Sequence, residues 1–181
     1  TTLVSLSKGE LIQLNATKEN EVSVAQLIKI AALKTGSLLK ASCLSGAYST
    51  GLQEENAQVL TDFSDKLGVA YQIKDDVIDY KDDSKELFKD LKEGKVNIPM
   101  ALALENGEKS VASEMLVLIR DKENFEQNKN IIIEFLHKNE GIEKAEQLQN
   151  KFTTEAVSLL SQLPNSEDLI DFTEMIGRRK F

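Results

Sequence analysis

Proline, the residue that interrupts helices most strongly, occurs only at positions 99 and 164 of this 181-residue chain. Glycine occurs nine times. No stretch of useful length alternates apolar and polar residues as a β-strand does, and there is no internal repeat. The sequence therefore favours long helices, and we predict an all-α protein. Its architecture is expected to be an antiparallel helical bundle that forms a single domain over residues 1–181.

Apolar residues recur with helical spacing along most of the chain. The predicted helices run near Leu3–Leu14, Val24–Tyr48, Gln53–Tyr80, Pro99–Leu104, Lys109–Arg120, Phe125–Lys138, Ile142–Leu163 and Ser166–Ile176. Ser23 is a good N-cap for the second of these helices. Residues 81–95 are dense in Lys, Asp and Glu, which favours a loop or a short broken helix there.

Composition limits the classes of function. The chain has 22 Lys and Arg against 30 Asp and Glu, a net charge of −8, which argues against non-specific nucleic-acid binding. Its single cysteine, Cys43, cannot form an internal disulfide and favours a reducing compartment, so we expect a cytoplasmic protein. No run approaches the roughly 18 apolar residues of a membrane-spanning helix.

One helical segment carries a cluster of acids. At about 100° per residue, Gln72, Asp75, Asp76 and Asp79 fall within an arc of about 100°. Carboxylates one turn apart repel each other, so this arc predicts a cation, and oxygen ligands favour Mg²⁺. A solvated acidic face is the alternative. Apolar residues occupy the opposite side of the same helix: Phe63, Leu67, Ala70, Ile73 and Val77.

Lys34 lies in an apolar helical stretch with Thr35 beside it. A charge in such a position is costly unless it is matched, and a diphosphate would match it. A lysine that reaches the surface along its own aliphatic stem is the alternative. Gly68 lies on the acidic arc, where it leaves room either for a substrate chain or for close packing.

Four segments, in order, carry a resemblance to a known family. The run from Gln72 through Asp79 resembles the second aspartate-rich motif of the trans-prenyl (polyprenyl) diphosphate synthases. Residues 85–99 look like the family's lysine, Asp-Leu, Glu-Gly-Lys and Thr-Leu-Pro run. Upstream, Lys34-Thr35 matches its Lys-Thr pair, and residues 9–13 resemble its Gly-Glu-x-x-Gln segment.

The resemblance implies the helical bundle of the isoprenoid synthases and a Mg²⁺-dependent condensation of isopentenyl diphosphate with an allylic diphosphate. It implies that Asp75 ligates Mg²⁺ directly, with Asp76 and Asp79 ligating through water or supporting the ligands. By the same resemblance, Lys34, Thr35 and Gln72 are expected to have catalytic roles. Two further positions match diphosphate-binding lysines, so that the substrate-binding set is Lys34, Thr35, Gln72, Lys85 and Lys95.

The sequence also departs from the family's pattern. Relatives commonly have glycine where this chain has Ser84 and Phe88, and threonine where it has Asn97. The family's first aspartate-rich motif and its isopentenyl diphosphate site do not occur in this sequence. We therefore expect a C-terminal portion of a longer synthase, inactive as an isolated chain and active in full-length form, with a medium- or long-chain product.

Two other functions remain compatible with the sequence. One is a non-catalytic partner subunit of the same fold, and the other is a helical protein that binds divalent cations without an isoprenoid role. Relatives pair through helical faces, so the resemblance implies a homodimer. The basic end of the chain, residues 178–180, resembles a tail that closes over diphosphates in relatives, or else it complements a helix dipole.

Overall fold

The computed structural model describes residues 2–19, 22–51, 54–81 and 87–179, and these residues form an antiparallel helical bundle with no strand among them. Ten α-helices are found in these ranges: α1 (Thr2–Glu19), α2 (Val24–Ala31), α3 (Ser37–Ser49), α4 (Glu54–Ile78), α5 (Lys89–Lys92), α6 (Ile98–Asn106), α7 (Lys109–Arg120), α8 (Phe125–Lys138), α9 (Gly141–Leu160) and α10 (Glu167–Arg178). None of them combines the length and the apolar character needed to cross a membrane.

The predicted bounds of α7 and α8 are confirmed, and Ser23 caps α2 by accepting a hydrogen bond from the backbone N–H of Gln26. The predicted helix Val24–Tyr48 is wrong in one respect. A π-helical turn, Ala32–Gly36, lies between α2 and α3. Such turns hold one more residue per hydrogen-bonded ring than an α-helix, and they occur often at functional sites.

Helix α4 lies at the centre of the bundle, where it packs against α3, the π-helical turn and α9. The five apolar residues predicted to form its inner side are all buried: Phe63, Leu67, Ala70, Ile73 and Val77. The first half of α4 shares one apolar cluster with α9, through Leu160 among others, and the second half shares a larger one with α6 to α9. These contacts fix the orientation of α4 and therefore of its acidic side.

The π-helical turn approaches α4 more closely than any side chain would allow. A Cβ built on Gly68 would lie 2.4 Å from the Cα and 2.5 Å from the backbone N of Gly36. Of the two roles predicted for Gly68, the structure therefore shows close packing. This contact brings the turn, with Lys34 and Thr35, against the acidic helix.

Candidate active site

A chain of hydrogen bonds links the Lys-Thr pair to the acidic motif. The Thr35 hydroxyl donates to Oε1 of Gln72 at 3.4 Å, and Nε2 of Gln72 donates to Oδ1 of Asp76 at 2.9 Å. Thr35 lies on the π-helical turn, and the other two residues lie one turn apart on α4. Three of the predicted site residues are thus in direct contact across two elements.

Asp76 is the buried member of the acidic group, with 7% of its surface exposed. Its second oxygen, Oδ2, accepts a hydrogen bond of 2.9 Å from the backbone N–H of Ile98 at the start of α6. Burial, together with the nearby charges of Asp90 and Asp75, raises the pKa of Asp76 to about 7 despite these two hydrogen bonds. Both of its oxygens are engaged within the protein.

Asp79 is half-buried and organises the segment that follows α4. Its Oδ1 accepts from the backbone N–H of Lys89 at 3.1 Å, and its Oδ2 accepts from that of Asp90 at 3.4 Å. Burial and the neighbouring Asp90 raise the pKa of Asp79. The carboxylate therefore holds the first turn of α5 in place.

Asp75 lies on the outer side of α4, where 42% of its side chain is exposed. Its Oδ1 forms an ion pair with Nη2 of Arg179, just after the end of α10. The same guanidinium lies 4.5 Å from the ring centroid of Tyr71, one turn before Asp75. The C-terminal end of the described chain therefore contacts the acidic motif.

The positive charge of Lys34 is paired with side chains of the protein itself. Its Nζ donates to Oε2 of Glu10 at 2.6 Å and to Oε1 of Gln13 at 2.7 Å, both on α1. The hydrogen bond and charge of Lys34 lower the pKa of Glu10. The counter-charge that the sequence led us to expect from a diphosphate is supplied here by a carboxylate on α1, and the diphosphate-binding role of Lys34 stays a prediction.

Lys95 lies on the loop between α5 and α6 and pairs with Glu93, whose hydrogen bond is the largest cause of a raised pKa at Lys95. The Lys95 side chain also lines a cavity of about 150 Å³ together with Gln13, Gln72, Asp76 and Asp90. This cavity brings residues of α1, α4 and the 89–97 segment to one place. Lys85 lies outside the described residues.

A buried polar contact holds the start of α6 beside this cavity. The Tyr80 hydroxyl donates to Oδ1 of Asn97 at 2.6 Å, and the same oxygen caps α6 by accepting from the backbone N–H of Met100. The Asn97 amide donates to Oδ2 of Asp90 at 3.3 Å. Asn97, noted in the sequence only as a departure from threonine, thus connects three parts of the site.

The acidic residues suit Mg²⁺, which keeps several water ligands, better than an ion that is coordinated entirely by protein side chains. Among the described residues, no three Asp, Glu, His or Cys side chains converge on a common point. Mg²⁺ is usually held by one or two carboxylates together with water and substrate phosphates. Asp75, 42% exposed on α4, and Asp79, just past the end of α4 and one helical turn further on, offer carboxylate oxygens to such a partly hydrated ion.

Several functional contacts are missing from the sequence-based prediction. The π-helical turn and the Asp75–Arg179 pair join segments whose proximity no local pattern encodes. Glu10 and Gln13 are part of a recognised segment, but their spacing on α1 does not indicate a partner. The only available signal for that contact was the unmatched charge of Lys34.

The fold and these contacts define a helical bundle in which the acidic residues of α4 are linked through Gln72 to Thr35 on the π-helical turn. The sequence profile of the family described as polyprenyl synthetase matches residues 1–136. The chain belongs to this family.

Named relatives agree with that membership. The chain is 29% identical to a mitochondrial solanesyl-diphosphate synthase of rice (Oryza sativa subsp. japonica), with 99% of this chain and 44% of the relative covered. It is 30% identical to heptaprenyl diphosphate synthase component 2 of Bacillus subtilis, with 99% and 53% covered. The chain therefore spans about half the length of the curated relatives that it matches.

Solved structures show the same bundle. A medium/long-chain prenyl pyrophosphate synthase of Arabidopsis, in its apo form, superposes with a TM-score of 0.85 at 26% identity, covering 99% of this chain and 62% of that one. A decaprenyl diphosphate synthase from Rhodobacter capsulatus superposes with a TM-score of 0.88 at 23% identity, covering 99% and 58%. At that identity the second likeness concerns the fold alone.

Proposed function

We propose that this chain forms part of a Mg²⁺-dependent prenyltransferase that condenses isopentenyl diphosphate with an allylic diphosphate, releasing pyrophosphate and a longer trans-polyprenyl diphosphate. The observation that carries the proposal is the hydrogen-bonded chain Thr35–Gln72–Asp76. It couples the segment that resembles the Lys-Thr pair to the segment that resembles the aspartate-rich motif.

Asp75 is the proposed direct ligand of Mg²⁺, because 42% of its side chain is exposed and only one of its oxygens has a protein partner among the contacts described above. Asp79, held by two backbone N–H groups, is placed to support water bound at the same face. Asp76 has both oxygens engaged and acts as a positioning residue for Gln72. When bound, Mg²⁺ would neutralise the charge of the departing diphosphate.

Lys34 and Thr35 supply the remaining chemistry in this proposal. Lys34 can exchange Glu10 for a diphosphate oxygen, since both are anions and its ammonium is one-third exposed. Thr35 presents an oxygen beside Gln72, and oxygen dipoles stabilise positive charge that develops on an allylic carbon near the transition state. Lys95 at the cavity and Lys85 are proposed as further diphosphate ligands.

The test is incorporation of labelled isopentenyl diphosphate by the full-length protein, with geranyl or farnesyl diphosphate as primer and Mg²⁺ present or absent. Asp75→Ala is expected to reduce turnover by two orders of magnitude or more, because it removes the proposed ligand. Asp62→Ala is the matched control, since Asp62 is an exposed aspartate of the same helix.

Product that requires Mg²⁺ and Asp75 supports the proposal and gives the chain length directly. A folded protein that incorporates nothing with either primer contradicts it. Turnover by the isolated 181-residue chain would contradict the narrower expectation that upstream residues are needed.

We also propose that the protein is a homodimer whose subunits meet through α1. Four exposed apolar residues lie within an arc of about 100° on this helix: Leu3, Val4, Leu11 and Leu14. Burying such a strip against its own copy would remove apolar surface from water. Leu11→Glu is expected to shift sedimentation to the monomer, whereas Val117→Glu, an equally exposed site on α7, should leave the dimer intact.

A further inference from the structure

Two consecutive arginines near the C-terminus make different contacts. Arg178, the last residue of α10, is 80% exposed and pairs with Glu174 one turn back on the same helix. Arg179 reaches across to α4, where it pairs with Asp75, and only 25% of its side chain is exposed. The long-range contact therefore belongs to Arg179 and not to Arg178.

Arg179 contacts residues on two successive turns of α4. Its guanidinium bonds to the Asp75 carboxylate and lies 4.5 Å from the centroid of the Tyr71 ring, and these two residues are four positions apart. A carboxylate bond and a cation–π contact on one planar group fix its position better than an ion pair alone. In this position the guanidinium occupies Oδ1 of Asp75, and the proposed function assigns the Asp75 carboxylate to a divalent cation.

A guanidinium and a divalent cation cannot share that oxygen without strong like-charge repulsion. We propose that Arg179 is a tethered competitor for the cation at Asp75, so that the cation binds only when the arginine leaves. This inference rests on the role proposed above for Asp75. It makes Arg179 a built-in regulator of metal loading.

Release of Arg179 requires no unwinding of the bundle. Helix α10 ends at Arg178, and Arg179 already has non-helical backbone angles, with φ −45° and ψ 120°. The side chain can therefore swing away while α10 keeps its contacts with α9 and α4. The two states differ in the position of one residue, which makes exchange with a cation possible without refolding.

The first experiment measures Mn²⁺ binding to the purified 181-residue chain by electron paramagnetic resonance. Arg179→Gln is expected to bind Mn²⁺ about three- to tenfold more tightly, because a contact that closes the site most of the time weakens apparent affinity by that factor. Arg178→Gln removes the same charge one residue away and should stay within about twofold of the wild type. Asp75→Asn should abolish this binding.

The second experiment follows tryptic cleavage after Arg179 and after Arg178 by mass spectrometry. Trypsin must take the arginine into its own pocket, so cleavage after Arg179 reports how often that side chain is away from Asp75. Mn²⁺ should accelerate cleavage after Arg179 about three- to tenfold and leave cleavage after Arg178 unchanged. In Asp75→Asn, cleavage after Arg179 should be fast with or without Mn²⁺.

The outcomes separate this inference from the proposed function. Equal Mn²⁺ affinity in the wild type and Arg179→Gln overturns the competition and leaves the metal site at Asp75 standing. An equal gain in Arg178→Gln also overturns it, since net charge would then explain the effect. Mn²⁺ binding that is absent, or indifferent to Asp75→Asn, overturns both the inference and the metal site.

Discussion

Gly68 of α4 lies so close to Gly36 of the π-helical turn that a Cβ on Gly68 would come within 2.4 Å of the Gly36 Cα. The opposing atoms belong to backbone, which cannot rotate away as a side chain can. This single approach sets the distance between Thr35 and Gln72, because the two glycines lie one residue and one turn from those side chains. Site geometry in this chain therefore depends on two residues that have no side chain.

Gly68→Ala is expected to destabilise the protein by about 1–3 kcal/mol, the usual range for overpacking a tight interface. Gly46→Ala is the matched control, because a Cβ there meets nothing within 4 Å and α3 should gain about 0.5–1 kcal/mol from the better helix former. Urea unfolding followed by circular dichroism measures both. Equal effects of the two substitutions would show that the close approach is absent.

Phe88 has a left-handed backbone, with φ 62° and ψ 30°, a conformation that favours glycine. Its ring packs edge-on against Tyr80, with 5.7 Å between centroids, and lies beneath the Lys129 ammonium. Phe88→Gly and Phe88→Ala both lose these ring contacts, but only alanine keeps the backbone penalty. We expect the glycine variant to be more stable than the alanine variant by about 1 kcal/mol in thermal or urea unfolding. The reverse order would contradict the left-handed conformation.

The raised pKa of Asp76 predicts how stability depends on pH. Below the ordinary carboxyl value of 3.8 both states hold the proton, and between there and the folded value of about 7 only the folded state does. The folded state then binds more protons, so unfolding free energy falls as pH rises through this window. Measured in EDTA, this falling contribution should disappear in Asp76→Asn. A wild type and variant with parallel pH profiles would refute the raised value.

The Lys34–Glu10 pair predicts opposite effects of two neutral substitutions on diphosphate binding. Glu10→Gln frees the ammonium and should tighten binding of inorganic pyrophosphate, with Mg²⁺ present, by about two- to fivefold, as expected for loss of an exposed competing ion pair. Lys34→Gln should weaken it by about tenfold or more, since a charge-assisted hydrogen bond is lost. Isothermal titration calorimetry measures both.

Lys40→Gln is the matched control for that measurement. Lys40 of α3 forms a similar, partly exposed pair, but with Asp65 of α4 rather than with a residue of α1. Its substitution should leave pyrophosphate affinity unchanged. A loss comparable to that of Lys34→Gln would mean that general positive charge, rather than this lysine, attracts the ligand.

The sequence predicts burial and helix bounds correctly where these depend on the pattern of a single helix. Phe63 and Ile73 are buried as the periodicity of α4 predicts, and α7 and α8 begin and end where the pattern changes. It does not predict contacts that depend on how two separate segments pack together. The aspartates on one side of α4 lie in different environments, because the start of α6 contacts Asp76 and Arg179 contacts Asp75. The sequence of α4 alone predicts neither contact.

The π-helical turn escaped prediction for a related reason. One extra residue offsets the apolar pattern of α3 from that of α2 by only about 100°, and over helices this short such an offset reads as one continuous helix with a wider apolar face. The roles assigned to Lys34, Thr35, Gln72, Asp75 and Asp79 remain predictions, and the experiments above test those of Lys34 and Asp75. What the structure adds is their contacts: Thr35 with Gln72, Lys34 with α1, and Asp75 with Arg179.

The wide turn at Ala32–Gly36 also separates what the bundle needs from what the proposed reaction needs. Deleting one residue within it would let α2 run into α3 as one regular helix, with both packing faces still in phase. Such a deletion would keep the scaffold and misplace the threonine. The extra residue is therefore a removable insertion as far as folding is concerned, and a shortened homologue would mark a lineage that kept the architecture after giving up this arrangement of Thr35.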